Sequence, residues 1–384
     1  MRVLVVDEEQ GAPPDHWSAI AEHTVRGRAL RFGLAEAADT AFDPAADHNR
    51  EYVLARVRAF SLNYRDTALA LGEHAEGTHD RGRGFGSDFV AEVAATGSAV
   101  RGLRPGDRVI PSMDWPPRPG DTVSAGVVTN TASRELQRVH HSRLVPVPTA
   151  MSDAQAASFS IGAQTAYAML RRAEVGRDTT VLVTAATSMT SLFAISAACG
   201  RGARVYCLSR SGRGADLLAE LGVVRSFDPN DPADLKDLAR LARQIRGFDA
   251  VVDPFCDAYV LTAVKLIGFN GHYVTCRLMG SPHDEMAGTD TPGGHWLSML
   301  TSLVSKNATI HGQCLGVRAD LEAALGDWDA GRLRVVVDSE FSGADIGPFV
   351  RRTFDPARLG KAAYVFGDRD HDEYPERDDT TKGA

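Results

Sequence analysis

The stretch Val181 to Cys199, VLVTAATSMTSLFAISAAC, decides the fold. Val181-Leu182-Val183 is short, apolar and β-rich, as a strand buried on both faces must be. Thr184 to Ser191 are mostly small and make a tight turn. Leu192, Phe193, Ile195, Ala198 and Cys199 then recur at helical spacing. Ala203 to Leu208 reads as a second strand. Strand, turn, helix, strand is the first βαβ unit of a doubly wound sheet, which aims backbone N–H groups at a pyrophosphate. The usual fingerprint of such a turn is rich in glycine, because side chains obstruct the approach of phosphates. Ala185 to Ser191 contains no glycine. The hydroxyls of Thr187, Ser188, Thr190 and Ser191 are the donors on offer, and Met189 has none to give. By itself the turn fits a dinucleotide site and a plain structural crossover equally.

Further βαβ units follow in series, with strands at 223–228, 248–254 and 271–276 and helices at 213–221, 233–246 and 257–267. Strands alternating with helices predict a parallel sheet. Ala308 to Gly316 adds another strand, and residues 319–331 a helix. Arg334 to Phe341 and Lys361 to Phe366 read as the last strands. Upstream the pattern is β-rich. Met1 to Asp7 and Glu51 to Ser61 are strands, the second alternating apolar with Arg56 and Arg58. Residues 10–50 show little periodicity. Thr67 to Gly72 reads as a short helix closed by glycine, Phe85 to Thr96 as a strand, and Met113 to Asp121 as a proline-rich loop. Ser152-Asp153 caps a helix, and a second helix spans about Gln164 to Ala173.

At 384 residues the chain is long enough for two cores, and 43% hydrophobic with 24% charged residues is ordinary globular composition. A net charge of −8 and the lack of any basic run argue against nucleic acid or an anionic membrane as partner. Five scattered cysteines with no C-x-x-C pair read as reduced thiols. No signal-like opening and no long apolar span is present, so the expected location is cytoplasmic. Beyond Asp368 the charged, proline-interrupted sequence predicts a disordered tail.

Taken in order, several short segments resemble the medium-chain dehydrogenase/reductase superfamily, in particular its zinc-free quinone oxidoreductase and enoyl reductase branch. They are Asn63-Tyr64-Arg65-Asp66, Gly86 to Val93, Gly97, Gly106 to Val109, Pro146 to Pro148, Thr165 to Tyr167 and Gly360-Lys361. The resemblance implies an α/β fold in which a Rossmann domain, here 161–318, is inserted in a GroES-like catalytic domain. The latter would be built from 1–160 and a return segment, 319–367. It implies an active site in the cleft between them, and by analogy a homodimer. A narrower resemblance joins Thr190 to Phe193, Asp253 to Phe255 and Tyr273 to Cys276. These are similar to a subgroup that reduces dehydroalanine in lanthipeptides to D-alanine.

Zinc-dependent members of the family place Cys where Asn63 stands, His-Glu where Ser87-Asp88 stand, and a further ligand near Ile161. None of those positions offers a thiolate or imidazole here, and the four-cysteine structural lobe is missing, so no metal is expected. The second Rossmann strand ends at Ser209 rather than an acidic residue, and Arg210 and Arg213 follow. Arginine suits a 2′-phosphate, which predicts NADPH, although both could be solvated surface residues. Tyr64 is either a hydrogen-bond and proton donor to substrate or a scaffold residue under its loop, and Asn63 either orients substrate or satisfies a turn. Asp66 is expected to be structural. Thr165 is a nicotinamide contact or a helix N-cap. Thr275 and Cys276 lie at a strand's C-terminal end, on the cofactor side. Lys361 reaches the cofactor or caps the cleft, or else lies at the surface. The expected reaction is NADPH-dependent reduction of an activated carbon–carbon double bond, in a small molecule or a peptide. A zinc-type alcohol dehydrogenase and a catalytically silent interaction protein are the alternatives.

Overall fold

The computed structural model describes residues 1–8, 12–72, 83–210, 212, 214–256, 260–276 and 292–367. The expected disordered tail and Arg213 lie outside the described residues. The first half runs β1 (Arg2–Asp7), β2 (Trp17–Val25), β3 (Arg28–Glu36), β4 (Tyr52–Ser61) and α1 (Asp66–Ala70). It continues through β5 (Arg83–Gly84), β6 (Asp88–Thr96), β7 (Arg108–Pro111), β8 (Leu136–His140), β9 (Leu144–Pro146) and α2 (Asp153–Ala157).

Helix α3 (Ser160–Arg172) leads into the alternating region. There β10 (Thr180–Val183), α4 (Met189–Gly200), β11 (Arg204–Leu208), α5 (Ala215–Glu220), β12 (Arg225–Phe227) and α6 (Pro232–Gln244) follow in turn. The series goes on through β13 (Phe248–Val252), α7 (Val260–Leu266), β14 (Ile267–Thr275), α8 (Pro292–Lys306) and β15 (Thr309–Gly312). Helix α9 (Arg318–Asp329), β16 (Val337–Ser342), α10 (Ile346–Phe354) and β17 (Lys361–Val365) close the described chain.

The alternating region forms one six-stranded sheet in the order β12-β11-β10-β13-β14-β15, every neighbouring pair parallel. In local numbering that order is 3-2-1-4-5-6, the doubly wound dinucleotide fold with its reversal between β10 and β13. Successive side chains alternate between two cores. Val181, Val183, Val205, Cys207 and Val252 face α3, α4 and α9. Leu182, Tyr206, Leu208 and Val251 face α6, α7 and α8. Both faces are covered, which is why these strands are apolar throughout.

The β-rich half contains two sheets. One is β2-β3-β1-β5; the other is seven-stranded, β16-β17-β4-β6-β7-β9 with β8 also on β4. Strands β16 and β17, after the parallel sheet in sequence, thus return to the first sheet system, where β17 pairs antiparallel with β4. The Ser152 prediction is met by a full capping box with Gln155. Helices α8 and α10 were not expected from the sequence, and α3 begins at Ser160, earlier than the periodicity suggested. Among the described residues no helix is long and apolar enough to cross a membrane.

Candidate active site

The reversal point is pinned by one buried carboxylate. Asp253, just beyond β13, accepts hydrogen bonds from Thr184 Oγ1 at 2.6 Å and Tyr273 Oη at 2.7 Å, and from the Phe255 and Cys256 amides. The ends of β10, β13 and β14 are therefore tied together where the fold opens its crevice. Burial first, and then the Asp253 charge, push the Tyr273 phenol far above its ordinary range.

The glycine-free turn keeps the backbone that glycines would make. Ala185 holds φ at +47°, a conformation glycine adopts without strain. Ser188 is the N-cap of α4: its Oγ accepts from the Ser191 amide and donates to Ser191 Oγ, which donates to the Thr184 carbonyl. The Ser188 and Ser191 hydroxyls, expected as cofactor donors, are engaged within the turn itself. Ser188 is occupied with the cap, and Ser191 is fully buried beneath the turn. The amides of Met189 and Thr190 have no partner among the described residues, so the helix N-terminus retains free donors. Met189 does not fill the turn. Its side chain is buried in the core beneath, and Gly162 of α3 leaves room there for Phe193: a Cβ at Gly162 would lie 3.1 Å from that ring, while 3.5 Å to Met189 Cγ would be ordinary contact.

Thr187 is linked to the other domain, its carbonyl accepting from the Gly360 amide at 3.1 Å. Gly360 has φ +77°, and a Cβ there would sit 2.2 Å from the Val336 carbonyl oxygen, so only glycine fits. Asp338 steadies the same segment by accepting from the Leu359 amide and from Arg352.

Ser209 follows β11, is buried, and gives its amide to the Phe227 carbonyl, whereas Arg210 is exposed at the same strand end. Thr165 is buried in the middle of α3, which corrects the N-cap alternative. Thr275 Oγ1, at the end of β14, is buried without a partner among the described residues. An orphaned donor at the mouth of the crevice is what a polar cofactor would satisfy. Cys276 is unsuited to attack: burial first, then the Asp253 carboxylate, push its thiol up to about 12.

Across the crevice lies a buried polar network that joins segments far apart in sequence. Asp88 is fully buried. Its Oδ2 accepts from Lys361 Nζ at 2.6 Å and from Asn63 Nδ2 at 3.0 Å, and its Oδ1 accepts from the Ile161 amide at 3.0 Å. The carboxylate thus sits at the N-terminus of α3, where the helix dipole favours it. Lys361 also donates to Ser61 Oγ at 3.1 Å and is only 3% exposed. The surface expectation for Lys361 is corrected: the side chain is buried and its ammonium is engaged by Asp88 and Ser61.

Asn63 Nδ2 also reaches Ser87 Oγ, and Ser87 donates to the buried carboxylate of Asp66. Asp66 accepts the Asn63 amide as well, at 2.8 Å, which is the structural role expected of it. Burial raises the Asp66 carboxyl above its ordinary range, opposed by Arg65, the Asn63 amide, the Ser87 hydroxyl and Lys361. Among the described residues no three His, Cys, Asp or Glu side chains are grouped to hold a metal ion.

Tyr64 stands apart from this network. Its side chain is 52% exposed, and its ring meets Phe255, just beyond β13, edge-on at 5.8 Å. The tyrosine thus lies in the crevice opposite the C-terminal ends of the parallel strands rather than under its own loop. Sequence reasoning missed Gly162 and Arg26, which donates to Tyr64 Oη at 2.8 Å, and met Phe255 only as part of the narrower resemblance. A glycine inside an otherwise apolar helical stretch was the one available signal, for Gly162.

Two family profiles match the chain: "Alcohol dehydrogenase GroES-like domain" over residues 49–149 and "Zinc-binding dehydrogenase" over residues 190–328. Acryloyl-coenzyme A reductase of Metallosphaera sedula is 25% identical over 323 residues, covering 80% of this chain and 90% of that protein. A mycocerosic acid synthase-like polyketide synthase of Mycobacterium tuberculosis is 26% identical over 276 residues, 68% of this chain. The chain spans only 12% of that synthase's length. Among solved structures, an NAD-dependent alcohol dehydrogenase superposes with TM-score 0.74 at 21% identity, covering 96% of this chain and all of that one. A thermostable alcohol dehydrogenase from Pyrobaculum aerophilum gives 0.67 at 22% identity, covering 91% and 99%. Strand order, the split β-rich domain and the two matched segments agree, and the chain belongs to the medium-chain dehydrogenase/reductase superfamily of nicotinamide-dependent oxidoreductases.

Proposed function

We propose that this protein is a zinc-independent, NADPH-dependent reductase of activated carbon–carbon double bonds: an enone, a quinone, or a dehydroamino acid such as dehydroalanine in a peptide. The observation that carries the reading is the Asp88–Lys361 pair. At the place where relatives that use zinc bring ligands together, both oxygens of Asp88 are already engaged by an ammonium, an amide side chain and a helix N-terminus. A cation there would have to displace Lys361. Polarisation of a carbonyl therefore falls to hydrogen-bond donors, and Tyr64 is an exposed one in the crevice. The match to an acryloyl-coenzyme A reductase across nearly its whole length supports an alkene as the reducible group.

The cofactor would be held by the free Met189 and Thr190 amides, by Thr190 and Thr187 at the turn, and by Thr275 Oγ1. Arg210 is available to a 2′-phosphate. When bound, the dihydronicotinamide supplies a hydride to the β-carbon of the alkene. Tyr64 then donates to the carbonyl oxygen or the α-carbon as negative charge develops.

The test joins binding to turnover. NADPH at a hundredfold excess over its Kd should stabilise the protein by about 2.7 kcal/mol in thermal unfolding, and NADH less. Arg210→Glu should remove that preference, costing NADPH roughly tenfold in affinity and NADH little. A panel of an enone, a quinone, an unsaturated thioester and a dehydroalanine peptide should then yield a substrate. Binding of neither nucleotide would favour a silent interaction protein, and stoichiometric zinc in active protein would favour an alcohol dehydrogenase.

The homodimer is proposed on a surface observation. Leu297, Leu300 and Val304 share one face of α8 and are exposed, as are Ile310 on the edge strand β15 and Phe269 on β14. An exposed apolar edge is suited to a second copy of the same strand. Sedimentation should report a dimer, and Val304→Glu with Ile310→Lys a monomer.

A further inference from the structure

Arg26 stands at the tip of the β2–β3 hairpin. Val25 pairs with Arg28, and the two residues between them, Arg26 and Gly27, have φ of +47° and +77°. This is the two-residue loop whose twist matches that of the flanking strands. The turn gains nothing from an arginine, whose side chain opposes a positive φ. The tip is also tied down. Arg28 Nη1 donates to the Leu71 carbonyl at 3.0 Å, at the end of the short helix that follows Tyr64.

The guanidinium of Arg26 thus reaches Tyr64 on an anchored arm. Nη2 donates to the phenol oxygen at 2.8 Å, with the guanidinium carbon 5.3 Å from the ring centre. Phe255 meets the ring from the other side of the crevice, its plane at 74°. A phenol oxygen that accepts from arginine keeps its own proton for another acceptor. Once that proton leaves, the fixed positive charge faces the phenolate.

We infer that Arg26 is a positioning residue for proton delivery: it holds Tyr64 as the acid that protonates the α-carbon after hydride transfer. This rests on the alkene-reductase reading above. In the step, the Tyr64 O–H bond breaks as the enolate electron pair forms the α-carbon–hydrogen bond. The negative charge passes to the phenolate oxygen beside Arg26, and water later returns the proton. In this role Arg26 acts through the tyrosine, which its guanidinium contacts.

The experiment uses the full chain, NADPH and the best alkene of the panel. Arg26→Met should lower kcat about 10- to 100-fold, the scale of one hydrogen bond to a charged group. KM should change by less than about threefold, and the solvent deuterium isotope effect on kcat should rise as proton transfer becomes more limiting. Arg26→Lys, which keeps the charge, should recover part of the loss. In a Tyr64→Phe background, Arg26→Met should add nothing further. Full additivity of the two substitutions overturns the inference, and so does a raised KM with kcat intact, which would make Arg26 a substrate-binding residue. Unchanged melting of Arg26→Met excludes misfolding. A wild-type protein that reduces none of the panel sinks the functional reading itself, whereas an active wild type with additive variants sinks only the role of Arg26.

Discussion

Tyr64→Phe is expected to lower kcat for alkene reduction by about 10²–10³, the typical effect of removing one donor to a developing oxyanion. KM should move by less than about threefold, because the lost interaction strengthens as charge develops and contributes little to ground-state binding. The geometry makes this substitution clean. The ring is held by Phe255 at its edge, and the phenol oxygen accepts from Arg26, so phenylalanine keeps the ring contact and deletes the hydroxyl alone. Folding should be unaffected, since the side chain is half exposed. Steady-state kinetics with a saturating cofactor decide it. Equal activity in the two proteins would make Tyr64 a wall of the crevice and leave protonation to water.

Lys361→Met should destabilise the fold by about 3–5 kcal/mol, the cost of stranding a buried charge whose partner is gone. Asp88 has no exposed surface through which water could replace the ammonium. The Ile161 and Asn63 donors remain, but they do not neutralise the charge. Lys361→Met combined with Asp88→Asn should recover much of the loss, because the double substitution leaves no net charge in the pocket. Chemical unfolding of the four proteins gives the coupling directly. If the single and double variants are equally unstable, the lysine matters for its packing and not for its charge. Because β17 carries Lys361 and β6 carries Asp88, the measurement also reports how firmly the return segment is bound to the first sheet.

The parallel domain was legible in the sequence because its strands are buried on both faces. Runs such as Val181-Leu182-Val183 and Ala250-Val251-Val252 are apolar throughout and alternate with helical segments. Residues 10–50 were not legible, although they hold the β2–β3 hairpin. Its outer strand alternates weakly, and an irregularity between Ser18 and Ala21, where Ala19 takes φ of +50°, breaks the period of two. Helices α8 and α10 were not read from the sequence; Pro292 and Pro348 fall in their first turns, where proline is tolerated. The site was legible only where function sits near a motif. The Asn63-Tyr64 segment drew notice, but Lys361 and Asp88 are 273 positions apart, and no local pattern announces that they meet. For Ser188 and Ser191 the sequence could not separate two uses of a hydroxyl near a helix start, and here one serves as the cap and the other bonds the Thr184 carbonyl.

The approach of Phe193 to Gly162 makes those two positions interdependent: a Cβ at 162 would meet that ring at 3.1 Å, whereas its 3.5 Å to Met189 would be ordinary contact. Enlarging residue 162 alone would therefore press on helix α4 through Phe193. A side chain could be gained at 162 only by giving up bulk at 193.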